Sequence, residues 1–154
     1  MNQRVMKIKK DLQEVVWGEP WYGESLMEKL NRFSEEKFFQ KPFGKLHSAA
    51  EQLSHMTFWR KEVIMSIKNP GKVSHGMQSP ENWPNNDLLR EKGKEYLIKE
   101  FLHIQQELDI SLDEIDDQFL DMAYRENTME FIIRGIVQHD IYHIGQIGLI
   151  EANI

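Results

Sequence analysis

The sequence predicts an all-α protein, a bundle of four main helices, and three observations carry that prediction. No convincing run of period-two alternation, the mark of a half-buried strand, occurs anywhere in the chain. Apolar residues recur instead at helical spacing. Helix starts are spelled out as well: Ser48 with Glu51, and Asn127 with Glu130, each place a capping residue three positions ahead of a glutamate.

Taken in order, residues 4–16 read as a first helix, ended by the two glycines and the proline of "WGEPWYGES". Ser25 or Glu24 opens a further helical stretch, "SLMEKLNRF", and a loop containing "KPFGK" follows. Ser48 caps a helix expected from Ala49 to Lys68, which "NPG" stops. Residues 69–86 hold three prolines and two glycines and read as a long loop, a feature that in a small domain often carries function. A third main helix is expected over 87–108, then a polar connection, "DISLDEIDDQ", and a last helix opened by Asn127.

Composition bounds the rest. The 154 residues make one domain, 1–154, that should bury roughly 70% of its unfolded surface. There is no cysteine, so no protein thiol can serve as nucleophile or metal ligand. A net charge of −6 without a basic cluster beyond "KIKK" argues against nucleic acid as a partner. Arg134, His139 and Asp140 interrupt the most apolar segment, so no membrane span is expected. The start lacks the apolar region of a signal peptide, and a cytoplasmic location follows as the expectation.

The chemistry concentrates in "GIVQHDIYHIGQIGLIEANI", residues 135–154. At 100° per residue, Ile136, His139, His143, Gln146, Ile147 and Ile150 share one face of the last helix. His139 and His143, four apart, project side by side, a spacing at which two imidazoles reach one metal. The opposite side, Ile133, Val137, Ile141, Ile144 and Gly148, is apolar too. Such a helix is expected to be fully buried, centrally or against a second copy of the chain, and a homodimer is favoured. In "EQLSHMTFWRKEV", His55 lies on the apolar side with Gln52, Trp59 and Glu62, so His55, His139 and His143 could converge on one divalent metal. Zinc suits three neutral imidazoles with an open position; nickel, iron and copper are chemically compatible. The bland alternative is that these histidines are core residues with satisfied hydrogen bonds. A di-iron bundle is disfavoured because such a site takes a Glu-x-x-His pair from each of two helices, and the sequence holds a single one, Glu100 with His103.

Four stretches, in this order, make the chain resemble the DinB-like (DinB/YfiT) superfamily of metal-dependent four-helix bundles: "PWYGESLMEKL", "KLHSAAEQLSHMTFWR", "NWP" and "GIVQHDIYHIGQIGLI". The resemblance spans nearly the whole chain. It implies an up-down-down-up topology, makes dimerisation the expectation, and matches the superfamily's three metal-binding histidines to His55, His139 and His143. It also implies thiol-dependent S-transferase-like activity with a bacillithiol-, mycothiol- or glutathione-type cosubstrate, consistent with a chain that has no thiol of its own. A metal-dependent hydrolase and a non-enzymatic metal-binding stress protein are the alternatives, since the same ligands serve each. The small-molecule substrate is expected to enter between "PWYGES" and the 69–86 loop, with Tyr22 and Trp83 as walls. Glu62 or Gln146 are candidates to orient a histidine N–H or a metal-bound water, and Trp59 to line the site. Arg60, Arg125 and Arg134 are candidate partners for the thiol's carboxylates. His47 is read as a capping or structural residue, and His75 and His103 match no motif.

Overall fold

The computed structural model describes residues 2–71 and 76–154. His75, which carried no motif, lies outside the described residues, as does part of the expected loop. Seven α-helices follow one another among the described residues: α1 (Gln3–Trp17), α2 (Leu26–Arg32), α3 (Glu35–Phe38), α4 (Ala49–Lys68), α5 (Asn86–Lys92), α6 (Lys94–Asp113) and α7 (Met129–Ala152). Four of them, α1, α4, α6 and α7, form the bundle. A two-residue hairpin of β1 (Ala123–Tyr124) and β2 (Asn127–Thr128) precedes α7. No helix among the described residues is long and apolar enough to cross a membrane.

The caps largely act as written in the sequence. Ser25 with Glu28, and Ser48 with Glu51, form reciprocal capping boxes that open α2 and α4. The start of α7 is shifted by one residue from expectation. Thr128 is its cap, accepting from the Phe131 N–H, because Asn127 pairs with Tyr124 in the hairpin. Glu130 does not complete a box there; its carboxylate pairs with Arg4 of α1. The expected third helix is two: Gly93, at φ 85°, breaks it into α5 and α6. Helix α6 then runs on to Asp113, because Leu108 and Leu112 extend its buried stripe through residues expected to be a connection. Within that connection, Asp117 accepts the backbone N–H groups of Arg4 and Val5 at 3.1 Å and so caps α1 from across the chain.

Side-chain pairs give the helix directions. Arg4 to Glu130 joins the starts of α1 and α7, and Lys9 to Asp113 sets the first half of α1 beside the end of α6. Lys61 to Glu100 (2.8 Å) and Lys68 to Glu107 (3.8 Å) run α4 and α6 in parallel. Gln52 faces His143 while His55 faces His139, so α4 opposes α7. The topology is up-down-down-up.

Two apolar clusters fill the bundle, one containing Met56, Phe101 and Ile144, the other Val63, Leu108 and Ile136. Between them in sequence on α4, α6 and α7 lies a polar layer. Arg60 of α4, with no exposed surface, makes a bidentate pair with Asp140 of α7 (2.9 and 2.5 Å), donates through Nε to Gln105 of α6 (2.8 Å), and stacks its guanidinium 4.3 Å above Phe101.

Of the two ways in which α7 was expected to be fully buried, a central place within the chain's own bundle is corrected. Only 8 of its 24 residues are buried, and Phe131, Ile141, Tyr142 and Leu149 are exposed. The helix surrounded on all sides is α4, with 15 of 20 residues buried, because α6, α7 and α5 all pack on it.

Candidate metal centre

Helices α4 and α7 bring His55, His139 and His143 together. The Nε2 of His139 lies 3.0 Å from the Nε2 of His55 and 3.0 Å from that of His143, and the three possible ligand atoms fall within 4.8 Å of one another. An ion about 2.0–2.1 Å from each nitrogen in a tetrahedral arrangement would separate them by about 3.3 Å, so the two separations from His139 are within a few tenths of an ångström of those in a ligand set.

The outer nitrogens fix two of the tautomers. The Nδ1–H of His55 donates to the carbonyl of Asn82 (3.1 Å), which can only accept. The Nδ1–H of His143 donates to the Oε1 atoms of Gln52 and Gln146, each at 2.6 Å. Both residues therefore turn an Nε2 lone pair inward, toward His139. With its proton on Nε2, His139 can donate to one of them, leaving the other lone pair and its own Nδ1 unserved. With the proton on Nδ1, three lone pairs face one another. The Nδ1 of His139 is buried and has no hydrogen-bond partner among the described residues. No neutral arrangement of protons satisfies the three inward Nε2 atoms, whereas a bound cation would; the Nδ1 of His139 has no partner among the described residues in either case.

Electrostatics agree. Burial, then the neighbouring positive charges of the other imidazoles, holds His139 down to about 3, and burial holds His143 down to about 4. Burial lowers His55 as well, against the pull of Asn82. All three are neutral near pH 7, the form that binds metal. Their folded pKa values lie below the ordinary 6.5, so the metal-free folded chain binds fewer protons than the unfolded chain as pH falls from about 6.5 toward 3. Metal-free protein should thus lose stability as pH falls through that window, and urea midpoints at pH 7.5, 6 and 5 check the slope.

Aromatic rings enclose the imidazoles. Trp83 is parallel to both His55 and His47, with centroids 3.9 Å away and planes 12° apart in each case. Two rings cannot share one face of an indole that closely, so Trp83 is sandwiched between them. Trp59 meets His55 and His139 edge-on, and Tyr142 meets His143 edge-on at 5.0 Å.

Of the residues expected around the site, Gln146, Trp59 and Trp83 are in contact with the histidines. Glu62 is buried on α4 seven residues past His55, about 10 Å along the helix axis. Tyr22 is partly exposed, and its phenol is pushed up to about 12 by burial first and then by the charges of Asp140 and Glu14. Arg60 is excluded as a partner for a substrate carboxylate, because Asp140 already occupies its guanidinium in the core. Arg134 pairs with Glu130 at the surface, and Arg125 sits in the hairpin turn over Tyr124. Asp140, next to His139 in sequence, points to Arg60 rather than to the imidazoles. Sequence reasoning gave no role to Gln52 or Tyr142, and it read His47 as capping or structural where the ring stacks on Trp83. A signal for Gln52 was present: Gln52-x-x-His55 on α4 mirrors His143-x-x-Gln146 on the opposed α7. Replacing Gln52 and Gln146 together by leucine should weaken metal binding about 10–100-fold with the helices intact, measured by chelator competition alongside circular dichroism.

Residues 23–147, which include all three histidines, match the family model of the DinB superfamily. The chain belongs to the DinB superfamily. Neither the curated proteins nor the solved structures contain a match to it. For this DinB-superfamily chain, membership and the His55/His139/His143 cluster together fit a metal-binding site.

Proposed function

We propose that this protein is a metal-dependent S-transferase that takes its nucleophile from a low-molecular-weight thiol of the bacillithiol, mycothiol or glutathione type. One observation carries the reading: three neutral imidazoles turn their Nε2 atoms to a single point in a chain that has no cysteine. A divalent ion held there, zinc or nickel before iron, supplies Lewis acidity that favours a thiolate near neutral pH.

The chain's own groups set the geometry. Asn82, Gln52 and Gln146 fix the outer nitrogens of His55 and His143, which keeps their inner lone pairs aimed at one point. Trp59, Trp83 and Tyr142 wall the imidazoles and limit water. The thiolate sulfur attacks the electrophilic carbon, the bond to the leaving group breaks, and the thiol proton passes to solvent or to that group. Tyr22 and the loop carrying Trp83 border the route of entry. The protein acts in the cytoplasm, and the outward face of α7, with Phe131 and Tyr142 exposed, is the place for a second copy. Consumption of an electrophile only when both thiol and metal are supplied supports the transferase. Thiol-independent hydrolysis supports the hydrolase instead, and metal binding with neither reaction supports the non-enzymatic binder.

A further inference from the structure

A cavity of about 350 Å³ opens beside the histidine cluster, between the turn at Pro42–Gly44, the first turns of α4 and the last turns of α7. Its walls are apolar: Phe43, Leu46, Leu149 and Ile150. No Lys, Arg, Asp or Glu stands among the described residues lining it. One end is formed by Gln52 and Gln146, the two residues whose amide oxygens hold the Nδ1 of His143.

We propose that this cavity binds an uncharged small molecule with an apolar alkyl or aryl body. The volume is that of a small-ligand site. Without a cation in the wall, the cavity does not suit the carboxylates of a thiol cosubstrate, which call for charged donors. Water within such walls makes few hydrogen bonds, so an apolar body displaces it favourably. The Gln52 amide and His47 offer hydrogen bonds to a polar group at the end nearest the metal centre.

The rim is built at some cost. Phe43 has φ 54°, in the left-handed region that a bulky residue rarely adopts, and Gly44 follows at φ 67°. These two residues hold the Phe43 ring out at the mouth, 75% exposed, where Leu149 is also exposed. A strained, solvent-exposed aromatic gains nothing in the isolated chain, and backbone strain of this kind collects at ligand sites.

The test uses the full metal-loaded chain and N-phenyl-1-naphthylamine, an uncharged fluorophore that brightens in apolar surroundings. Two variants accompany the wild type. Phe43→Gly removes the ring while glycine accepts the positive φ without strain. Leu149→Asp sets a charge in the wall from an exposed position. Saturable binding of roughly one probe per chain, weakened at least about tenfold in both variants with unchanged metal content, supports the site. Absence of saturable binding, or equal binding by the variants, overturns it. Light scattering on the same samples gives the remaining outcome: a wild-type dimer that excludes the probe and a monomeric Leu149→Asp chain assign the cavity to a second copy and overturn the proposal. The transferase reading is tested separately. Probe binding without thiol-dependent turnover of an apolar electrophile leaves the ligand site standing and removes that reading, whereas turnover without a probe site does the reverse.

Discussion

Arg60→Leu should lower the unfolding free energy by about 3–5 kcal/mol, the largest stability loss expected from a single substitution here. The guanidinium has no exposed surface and serves Asp140 twice and Gln105 once. Leucine leaves the wholly buried Asp140 with no counter-ion. Burial already pushes that carboxyl above its ordinary value and Arg60 is what pulls it down, so in the variant Asp140 must take up a proton or draw water into the core. The loss should therefore be smaller at low pH, where protonation is cheap. Arg60→Leu with Asp140→Leu should recover most of the stability, because the polar layer then gives way to side chains that join the two apolar clusters. Denaturant unfolding of the three proteins at pH 5 and 7.5 checks this. A double variant no more stable than Arg60→Leu would mean that the layer stabilises the bundle beyond pairing its charges.

His143→Ala should abolish stoichiometric metal binding. The wild type, purified without a histidine tag, should hold close to one transition-metal ion per chain, and the variant should fall further than the roughly 10–100-fold expected from losing an outer partner. His143 contributes an Nε2 to the cluster and is the residue whose Nδ1 the two glutamines hold, so alanine removes the ligand and empties its support together. The metal-free variant should remain folded. Removing one depressed imidazole also removes part of the acid sensitivity of the metal-free chain, so its urea midpoint should change less between pH 7.5 and 5 than that of metal-free wild type. If the wild type is empty and refuses added zinc or nickel, the histidines are core residues and the transferase reading falls with them.

The His139/His143 pair was legible because four residues on a helix is close to one turn, which puts both rings on one face whatever surrounds them. His55 was legible as a partner only through its place on the apolar side of its helix and the superfamily resemblance. The hydrogen bond from His55 to Asn82 was not, because the acceptor is a backbone carbonyl 27 residues away and has no side-chain signature. Arg60 was misread for a related reason. An arginine in a sequence looks available to a ligand, and nothing local shows that an aspartate 80 positions on will close over it.

The sequence by itself determined the local matters: where helices start, through Ser25 and Ser48 with their glutamates, and which residues share a face. Local backbone sterics and side-chain reach decide these within a few residues. The tertiary structure alone decided which helix is central. The most apolar helix, α7, keeps Phe131, Tyr142 and Leu149 at the surface, while α4, with Gln52, His55, Arg60 and Glu62, is buried on nearly every side. Hydropathy records what burial costs a side chain on its own, whereas in the fold Gln105, Asp140, Asn82 and His143 supply partners that offset the cost. Those partners come from other elements, and their meeting is a property of the packed bundle.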